Sequence, residues 1–215
     1  MATVIFDRLT PKCADYLRRI REGARRMDAL IEDSLQYAKI VREKLPLVRV
    51  EPAHVLRGIL ESYPRLQPPR VKIQIVDPLP PVIANEAGLG QCFSNLLANA
   101  VKFVRPDKVP QVRIWAEAVK TSERGHDSQA PRAMLHPGDV ANVRFWFEDN
   151  GIGIPPEYQD CIFEMFQQLD KSYEGTGIGL ALVRKTAERM GGRVGVESEP
   201  SKGSRFWVEF RAAER

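Results

Sequence analysis

The sequence predicts an α+β fold in which helices pack on one face of a mixed β-sheet, with one long helix ahead of it. Three observations predict this arrangement. Apolar residues recur at helical spacing from Cys13 to Leu45, short alternating segments typical of strands follow, and two further helical patterns lie among those strands. Few helices among several strands indicate a two-layer α/β sandwich, here preceded by a long helix of coiled-coil type.

The first element is a single long helix. Its apolar stripe alternates spacings of four and three and contains one polar member: Cys13, Leu17, Ile20, Ala24, Met27, Ile31, Ser34, Ala38, Val41 and Leu45. Pro11 starts the helix and Pro46 stops it. Because so narrow a stripe suits a helical bundle better than a sheet, we expect one region over residues 1–46 and a second domain over residues 47–215.

The second domain begins with shorter elements. The pattern predicts a short helix near 53–62, a proline-rich segment at 63–69, a strand at 71–76, a helix at 86–104 and strands at 112–119 and 143–148. It continues with a helix at 178–190 and closing strands at 193–198 and 205–210. The polar segment at 120–139 predicts a surface loop.

Composition excludes several classes of function. The chain has 215 residues, 43% hydrophobic and 28% charged, as expected of a globular protein. Its 32 basic residues are nearly matched by 28 acidic ones, so the net charge of +4 does not favour nucleic acid. Cys13, Cys92 and Cys161 lack disulfide or zinc spacing, which fits a reducing cytoplasm. No apolar stretch approaches the roughly 20 residues that span a bilayer, so we expect no membrane contact within the chain.

The helix at 86–104 carries an unusual polar stripe. Asn95, Asn99 and Lys102 follow at i, i+4 and i+7, so they share one face. The opposite face is apolar: Leu89, Phe93, Leu96, Ala100 and Val104. Taken alone, the stripe is equally typical of the solvent-facing side of an amphipathic helix.

Two glycine motifs follow. Asp149-Asn150-Gly151-Ile152-Gly153-Ile154 comes directly after an apolar strand and presents a carboxylate that can accept from the amino group of adenine and would repel the carbonyl of guanine. Gly175-Thr176-Gly177-Ile178-Gly179-Leu180 opens a helix, where backbone N–H groups favour phosphate oxygens. The first motif by itself is also good turn chemistry. The second lacks the GxGxxG spacing of dinucleotide sites.

In this order, Asn-x3-Asn-x2-Lys, Asp-x-Gly-x-Gly, the phenylalanines Phe163 and Phe166, and Gly-x-Gly-x-Gly resemble the ATP-binding catalytic domain of sensor histidine kinases, which has a Bergerat-type fold. The resemblance extends over about 47–211. The long helix looks like the second helix of the kinase dimerisation hairpin, so 1–46 would be a partial dimerisation and phosphotransfer region.

The resemblance implies a role for each motif. Asp149 would hold adenine N6, Asn99 would bind Mg²⁺, and Asn95 and Lys102 would be the catalytic residues, with Lys102 meeting phosphate charge. Phe163 and Phe166 would lie on or beside a mobile lid, where Lys171 is a candidate phosphate contact. The remaining residues expected to bind ATP come from the two glycine motifs: Gly151, Gly153, Ile154, Gly175, Thr176, Gly177, Ile178, Gly179 and Leu180.

Two features depart from the family pattern or refine it. No acceptor histidine precedes the long helix, and His54 lies after it without the acidic neighbour or the proline of an acceptor motif. In related topoisomerase and chaperone ATPases a water-activating glutamate stands where this chain has Asn95, and an amide cannot act as a base. Slow hydrolysis is therefore expected.

We therefore expect a protein-histidine kinase part that uses ATP and Mg²⁺, passes phosphate to a histidine absent from this chain, and has a response-regulator receiver domain as its partner. A homodimer through residues 13–45 is also expected. Two alternatives remain open. One is a degenerate kinase acting as an ATP-gated interaction module. The other is a serine kinase of the anti-sigma type. The long helix argues against it, because that type has no use for a dimerisation hairpin.

Overall fold

In the computed structural model, residues 10–42, 44–120, 141–169, 173 and 175–214 are described. The helices are α1 (Pro11–Arg42), α2 (Pro52–Ser62), α3 (Glu86–Lys102) and α4 (Gly179–Arg189). The strands are β1 (Val48–Val50), β2 (Lys72–Ile75), β3 (Val82–Ala84), β4 (Gln111–Lys120), β5 (Ala141–Asp149), β6 (Arg193–Glu199) and β7 (Gly203–Arg211). The predicted α+β sandwich with a preceding long helix is confirmed.

The main sheet has five strands in the order β2-β4-β5-β7-β6. β2 pairs with β4 in parallel, and the other neighbours are antiparallel. A separate antiparallel ladder joins β1 to β3, in which Val50 faces Val82. The sequence analysis did not predict this small sheet, because three-residue strands are too short to show a period.

The core lies between the main sheet and α2, α3 and α4. Phe93 of α3 sits over β5, with its ring centroid 5.5 Å from that of Phe145 and 5.1 Å from that of Phe147. The apolar residues predicted for this face of the helix are all buried: Leu89, Phe93, Leu96 and Ala100 on α3, and Val104, which lies beyond the end of the helix at Lys102. Since one face of α3 is fixed in the core, its opposite face carries Asn95, Asn99 and Lys102 to the cavity described below.

The other face of the sheet bears a row of tryptophans. Trp115, Trp146 and Trp207 are register neighbours on β4, β5 and β7. Beside them the Arg144 guanidinium lies 4.1 Å from the Trp207 ring centroid and 2.9 Å from Glu209, which is buried. This face therefore satisfies its own charges, and the cavity lies on the helical side.

Helix α1 packs beside α4 and has no buried residue. Ile20 is 67% exposed, Met27 63% and Ile31 59%. Ala29 and Asp33, on another side of α1, line the cavity. The helix ends at Arg42, earlier than Pro46 predicted, and Leu45 packs against the domain core instead of continuing the stripe. None of the helices in the described ranges has the length and hydropathy needed to cross a bilayer.

Candidate nucleotide-binding site

A cavity of about 590 Å³ lies between the polar face of α3, the turn after β5 and the start of α4. That volume is within the ~300–1,000 Å³ usual for small-molecule sites. Most residues proposed from the sequence line it: Asn95, Asn99, Lys102, Asp149, Gly153, Ile154, Gly175, Thr176, Gly177, Gly179 and Leu180. Residues up to 85 apart in the chain are thus brought together.

One end of the cavity is formed around Asp149, the last residue of β5. Its Oδ1 accepts hydrogen bonds from the backbone N–H of Gly151 at 2.8 Å and of Ser204 at 3.2 Å. Burial raises the pKa of this carboxyl to about 6, against the lowering effect of those two bonds, and the nearby Glu148 charge raises it further. Asp149 therefore changes between acceptor and donor close to neutral pH.

Glycine at position 203 allows β7 to begin against Asp149. Its φ is +89°, and an added Cβ would lie 2.0 Å from the Asp149 carbonyl oxygen. No L side chain fits both the conformation and the space. The sequence Gly203-Ser204 thereby places the Ser204 N–H on the Asp149 carboxylate, so this end of the cavity is set by backbone geometry.

The polar stripe of α3 forms the floor of the cavity. The Asn95 Nδ2 donates to the Gln91 carbonyl at 2.8 Å, and a Cβ added at Gly179 would lie 2.9 Å from Asn95 Oδ1. At the end of the helix, the Lys102 Nζ lies 4.3 Å from the Phe103 ring centroid. The same ammonium would be 2.6 Å from a Cβ at Gly175. The stripe therefore faces the second glycine motif directly.

The second glycine motif forms the other end of the cavity. The N-cap of α4 is Ile178 and the helix begins at Gly179, so its N-terminal N–H groups and positive dipole end lie beside Asn95, and Gly175 before them lies beside Lys102. Gly177 has a φ of +74°, and its carbonyl accepts from the Phe166 N–H at 2.9 Å. This arrangement favours an anionic ligand.

Helix α1 also reaches this end of the cavity. The Thr176 hydroxyl donates to the Asp33 carboxylate, and Ala29 lies on the cavity wall one helical turn earlier. The Arg189 guanidinium donates to the Val41 carbonyl near the far end of α1. These contacts join the long helix to α4 and to the glycine motif before it.

Some of the proposed residues do not line the cavity. Gly151 acts through its N–H on Asp149, and Ile178 is fully buried at the start of α4. Phe163 packs edge-on against Phe206, with centroids 6.4 Å apart. Phe166 is 60% exposed and meets Gly177 through its backbone only. Lys171, like His126 and His136, lies outside the described residues.

The structure adds residues that sequence reasoning missed. Ser204 directly follows Gly203. The sequence could have identified Ser204, because the glycine turn before it is similar to the two glycine motifs. Asp33 carried no such signal, because its position depends on how α1 lies against α4. Further lining residues lie before, within, between and after the motifs: Ala29, Ala98, Phe103, Ile152, Pro155, Tyr158, Ile162, Gln167, Gln168, Leu169, Tyr173, Pro200 and Phe206.

The cavity does not resemble a metal centre built from side-chain anions. Among the residues described, no group of three or more His, Cys, Asp and Glu is placed to hold a metal ion. Burial raises the pKa of the Cys92 thiol well above its usual range, so this cysteine packs as an apolar residue. Cys13 is exposed and Cys161 partly buried, and neither is in a disulfide.

With this geometry in hand, comparison with known proteins identifies the family. Residues 84–214 match the histidine kinase-, DNA gyrase B- and HSP90-like ATPase family. The chain belongs to this family. It is an ATP-binding catalytic domain of the histidine kinase type, as the sequence motifs predicted. The matched residues contain α3, both glycine motifs and Gly203-Ser204.

Relatives agree with this assignment. Cyanobacterial phytochrome A of Nostoc sp. is 34% identical over 94% of this chain, and the circadian input-output histidine kinase CikA of Synechococcus elongatus is 32% identical over 94%. The chain spans 24% and 26% of those proteins. Full-length ShkA, crystallised with AMPPNP, superimposes with a TM-score of 0.66 at 31% identity, covering 97% of this chain and 41% of ShkA.

Proposed function

We propose that this chain is the catalytic part of a two-component sensor histidine kinase. It transfers the γ-phosphoryl group of ATP to a histidine that the chain does not contain, for relay to a response-regulator aspartate. The observation that supports this best is that one cavity has a site suited to a base at one end and a site suited to phosphates at the other. A buried carboxylate with two backbone hydrogen bonds lies at one end, and Lys102 lies with a helix N-terminus at the other.

The Asp149 end would bind the base. Ionised Asp149 accepts a hydrogen bond from the exocyclic amino group of adenine, whereas the carbonyl of guanine has no proton to offer. The absence of side chains at Gly151 and Gly153 lets this turn pack against Phe103 and Glu199, and Gly153 and Ile154 line the cavity where the ring would lie. Because the carboxylate is buried and pre-oriented, little reorganisation accompanies binding.

The Lys102 end would bind the phosphates. The Lys102 ammonium supplies positive charge, while the N–H groups at the start of α4 supply hydrogen-bond donors for the oxygens. Gly175 brings its backbone close to the Lys102 ammonium, with no side chain to intervene, while Gly177 packs against the backbone of Phe166 and Gln167. Positioning and charge are the main contributions a protein makes to phosphoryl transfer.

The residues present fit Mg²⁺ bound together with ATP. Asn99 offers a hard amide oxygen on the cavity side of α3, between Asn95 and Lys102. Because the nucleotide brings the negative charge, one neutral ligand from the protein suffices. The ion would neutralise charge on the phosphates during transfer.

Transfer to a protein acceptor fits the chain better than hydrolysis. The Asn95 Nδ2 is engaged by the Gln91 carbonyl, and an amide cannot take a proton from water. His54 is exposed on α2 and does not line the cavity, so it is not placed to receive phosphate. His126 and His136 lie outside the described residues, and we propose that the acceptor comes from another helix.

We propose that residues 1–46 are part of the dimerisation region and that residues 47–215 are the catalytic domain. The exposed stripe on α1, which includes Ile20, Met27 and Ile31, would pair with helices of a second copy. The chain should accordingly self-associate in sedimentation velocity experiments, and Ile20→Asp with Met27→Asp should restore the monomer. A monomer at high protein concentration in the unaltered chain would contradict this pairing.

One observation favours the alternative of an ATP-gated interaction module. The hydrogen bond from Thr176 to Asp33 joins the proposed phosphate site to α1. Nucleotide binding would then change how α1 is held, and thereby which surface it offers, without any transfer of phosphate.

Labelled ATP distinguishes the two functions. With Mg²⁺, the chain alone should bind ATP, hydrolyse very little and label none of its histidines. Addition of a separate polypeptide that supplies an acceptor helix should produce acid-labile labelling of that helix. Asn99→Ala should abolish the labelling, because the metal would lose its protein ligand.

The matched control is Ser94→Ala, a change on α3 outside the cavity lining. It should leave the labelling unchanged. Binding of ATP without transfer to any supplied acceptor helix would favour the interaction module. Stoichiometric labelling of His54 in the chain alone would contradict the assignment of the acceptor to another helix.

A further inference from the structure

Ser198, near the end of β6, joins three segments that the nucleotide site depends on. It is half-buried and does not itself line the cavity. Its Oγ accepts from the Ile154 N–H at 2.8 Å and lies 2.9 Å from both the Gly203 carbonyl and the Ser204 Oγ. One hydroxyl thus connects the turn after β5 with the first two residues of β7.

These contacts lead to Asp149 in one further step. The Ser204 N–H donates to Asp149 Oδ1 at 3.2 Å, and Ile154 belongs to the same turn as Gly151, which donates to that oxygen at 2.8 Å. Both backbone donors on the carboxylate therefore belong to segments held by Ser198. A loss of the Ser198 hydroxyl would leave the Ile154 N–H without this partner and free both segments to shift.

Gln159 forms a second bridge between the same segments. Its Nε2 donates to the Ser198 carbonyl at 2.7 Å and to the Ile154 carbonyl at 3.1 Å. An amide nitrogen has two protons, so both bonds can form at once. Ser198 is consequently held through its backbone by Gln159 and through its side chain by Ile154.

The hydroxyl of Ser204 is part of the same network. Ser204 is 6% exposed and lines the cavity, while its Oγ lies 2.9 Å from that of Ser198. Each hydroxyl has one proton to donate. If Ser198 donates its proton to Ser204, the Ser204 hydroxyl keeps its own proton and can donate to a bound base. If Ser198 donates to the Gly203 carbonyl, Ser204 donates to Ser198 and can only accept from the base.

We propose that Ser198 and Gln159 are positioning residues for base recognition. They hold Asp149 and Ser204 in the orientation that selects adenine over guanine. This rests on the proposed function, since it assumes that the base lies at the Asp149 end. The distinctive consequence is that a loss of either residue lowers affinity only for ligands that carry the exocyclic amino group.

The test measures dissociation constants by calorimetry for ATP, GTP and purine riboside triphosphate, which lacks the amino group of ATP. Ser198→Ala and Gln159→Leu should each weaken ATP about tenfold, as loss of an aligned hydrogen bond to a charged group predicts. Binding of purine riboside triphosphate should change less than about twofold, so the preference for ATP over GTP should fall. Ser198→Thr should restore ATP binding, because it keeps the hydroxyl.

Lys202→Ala is the matched control. Lys202 lies in the same hairpin, its side chain is 73% exposed, and it pairs only with Glu199 among the contacts described. It should change none of the three constants. Thermal unfolding of the free chain should show each variant folded at the temperature of the titration.

Two outcomes would overturn the inference. Equal weakening of ATP and purine riboside triphosphate would mean that the two residues only support the shape of the pocket. Unchanged ATP binding in both variants would mean that Asp149 needs no such support. A different result tests the function itself: if the unaltered chain does not bind ATP, or Asp149→Asn binds it equally well, the base site is wrong and this inference falls with it.

Discussion

The two ends of the cavity are built differently. At the Asp149 end, backbone groups make the contacts: Gly151 and Ser204 donate N–H groups, and Gly203 lies against the Asp149 carbonyl. At the Lys102 end, side chains make part of the contacts: the Lys102 ammonium lies near Gly175, and Thr176 donates to Asp33, beside the backbone bond from Phe166 to Gly177. Backbone contacts fix a geometry, whereas long side chains can move. We therefore expect the base site to tolerate less change than the phosphate site.

Matched glycine substitutions should give the largest difference between the ends. Gly203→Ala places a Cβ 2.0 Å from a backbone oxygen at a φ of +89°, and should cost roughly 3 kcal/mol in free energy of unfolding. Among the described residues, Gly175→Ala meets the end of the flexible Lys102 side chain, and should cost less than about 1 kcal/mol. Urea denaturation measures both. Equal losses would show that the Lys102 end is as rigid as the other.

Asp149→Asn should have the next largest effect, on binding. It replaces a charged acceptor by a neutral one and should weaken ATP by on the order of 1.5–3 kcal/mol in calorimetry. Because Asp149 would contact only the base, the affinity for inorganic triphosphate, which has no base, should not change. Unchanged ATP affinity would locate adenine elsewhere.

The pH dependence sharpens the same prediction. Since the pKa of Asp149 is about 6, ATP affinity should fall as pH falls below 6, by up to about tenfold per unit. The free protein should behave in the opposite way, because a raised folded-state pKa adds stability at low pH that is lost as pH rises through about 6. Asp149→Asn is the control. It should remove the parts of the pH dependence of stability and of ATP affinity that Asp149 causes, so that the titration of the ATP phosphates remains. Parallel pH profiles in the two proteins would rule out Asp149 as the titrating group.

Asp33→Ala should give the smallest effect, at the Lys102 end. Asp33 brings negative charge to a site proposed for phosphates and holds the Thr176 hydroxyl. Its removal should strengthen ATP binding by about 0.5–1 kcal/mol and leave adenosine binding unchanged, since adenosine has no phosphate. Competition titrations with the two ligands measure this. Weaker ATP binding would show that Asp33 supports the nucleotide site instead.

The sequence alone determined most of the elements, but not the short strands β1 and β3, and most of the residues that line the cavity. The apolar positions of α3 fix one face in the core, and from that alone Asn95, Asn99 and Lys102 follow on the other face. Strand alternation located β4, β5, β6 and β7, and two glycine motifs marked both ends of the cavity. These features are local, because helical and strand periods and glycine turns depend on neighbours in the chain.

Only the tertiary structure decided what lies across the cavity from these motifs. The Ser204 N–H reaches Asp149, 55 residues earlier, because β7 pairs with β5, and the Ser198 hydroxyl reaches Ser204 because β6 pairs with β7. Asp33 reaches Thr176, 143 residues later, because α1 lies along α4. In the sequence, Ser198 and Asp33 do not differ from an ordinary surface serine and an ordinary surface aspartate. Their roles depend on long-range packing and strand pairing, which no local period encodes.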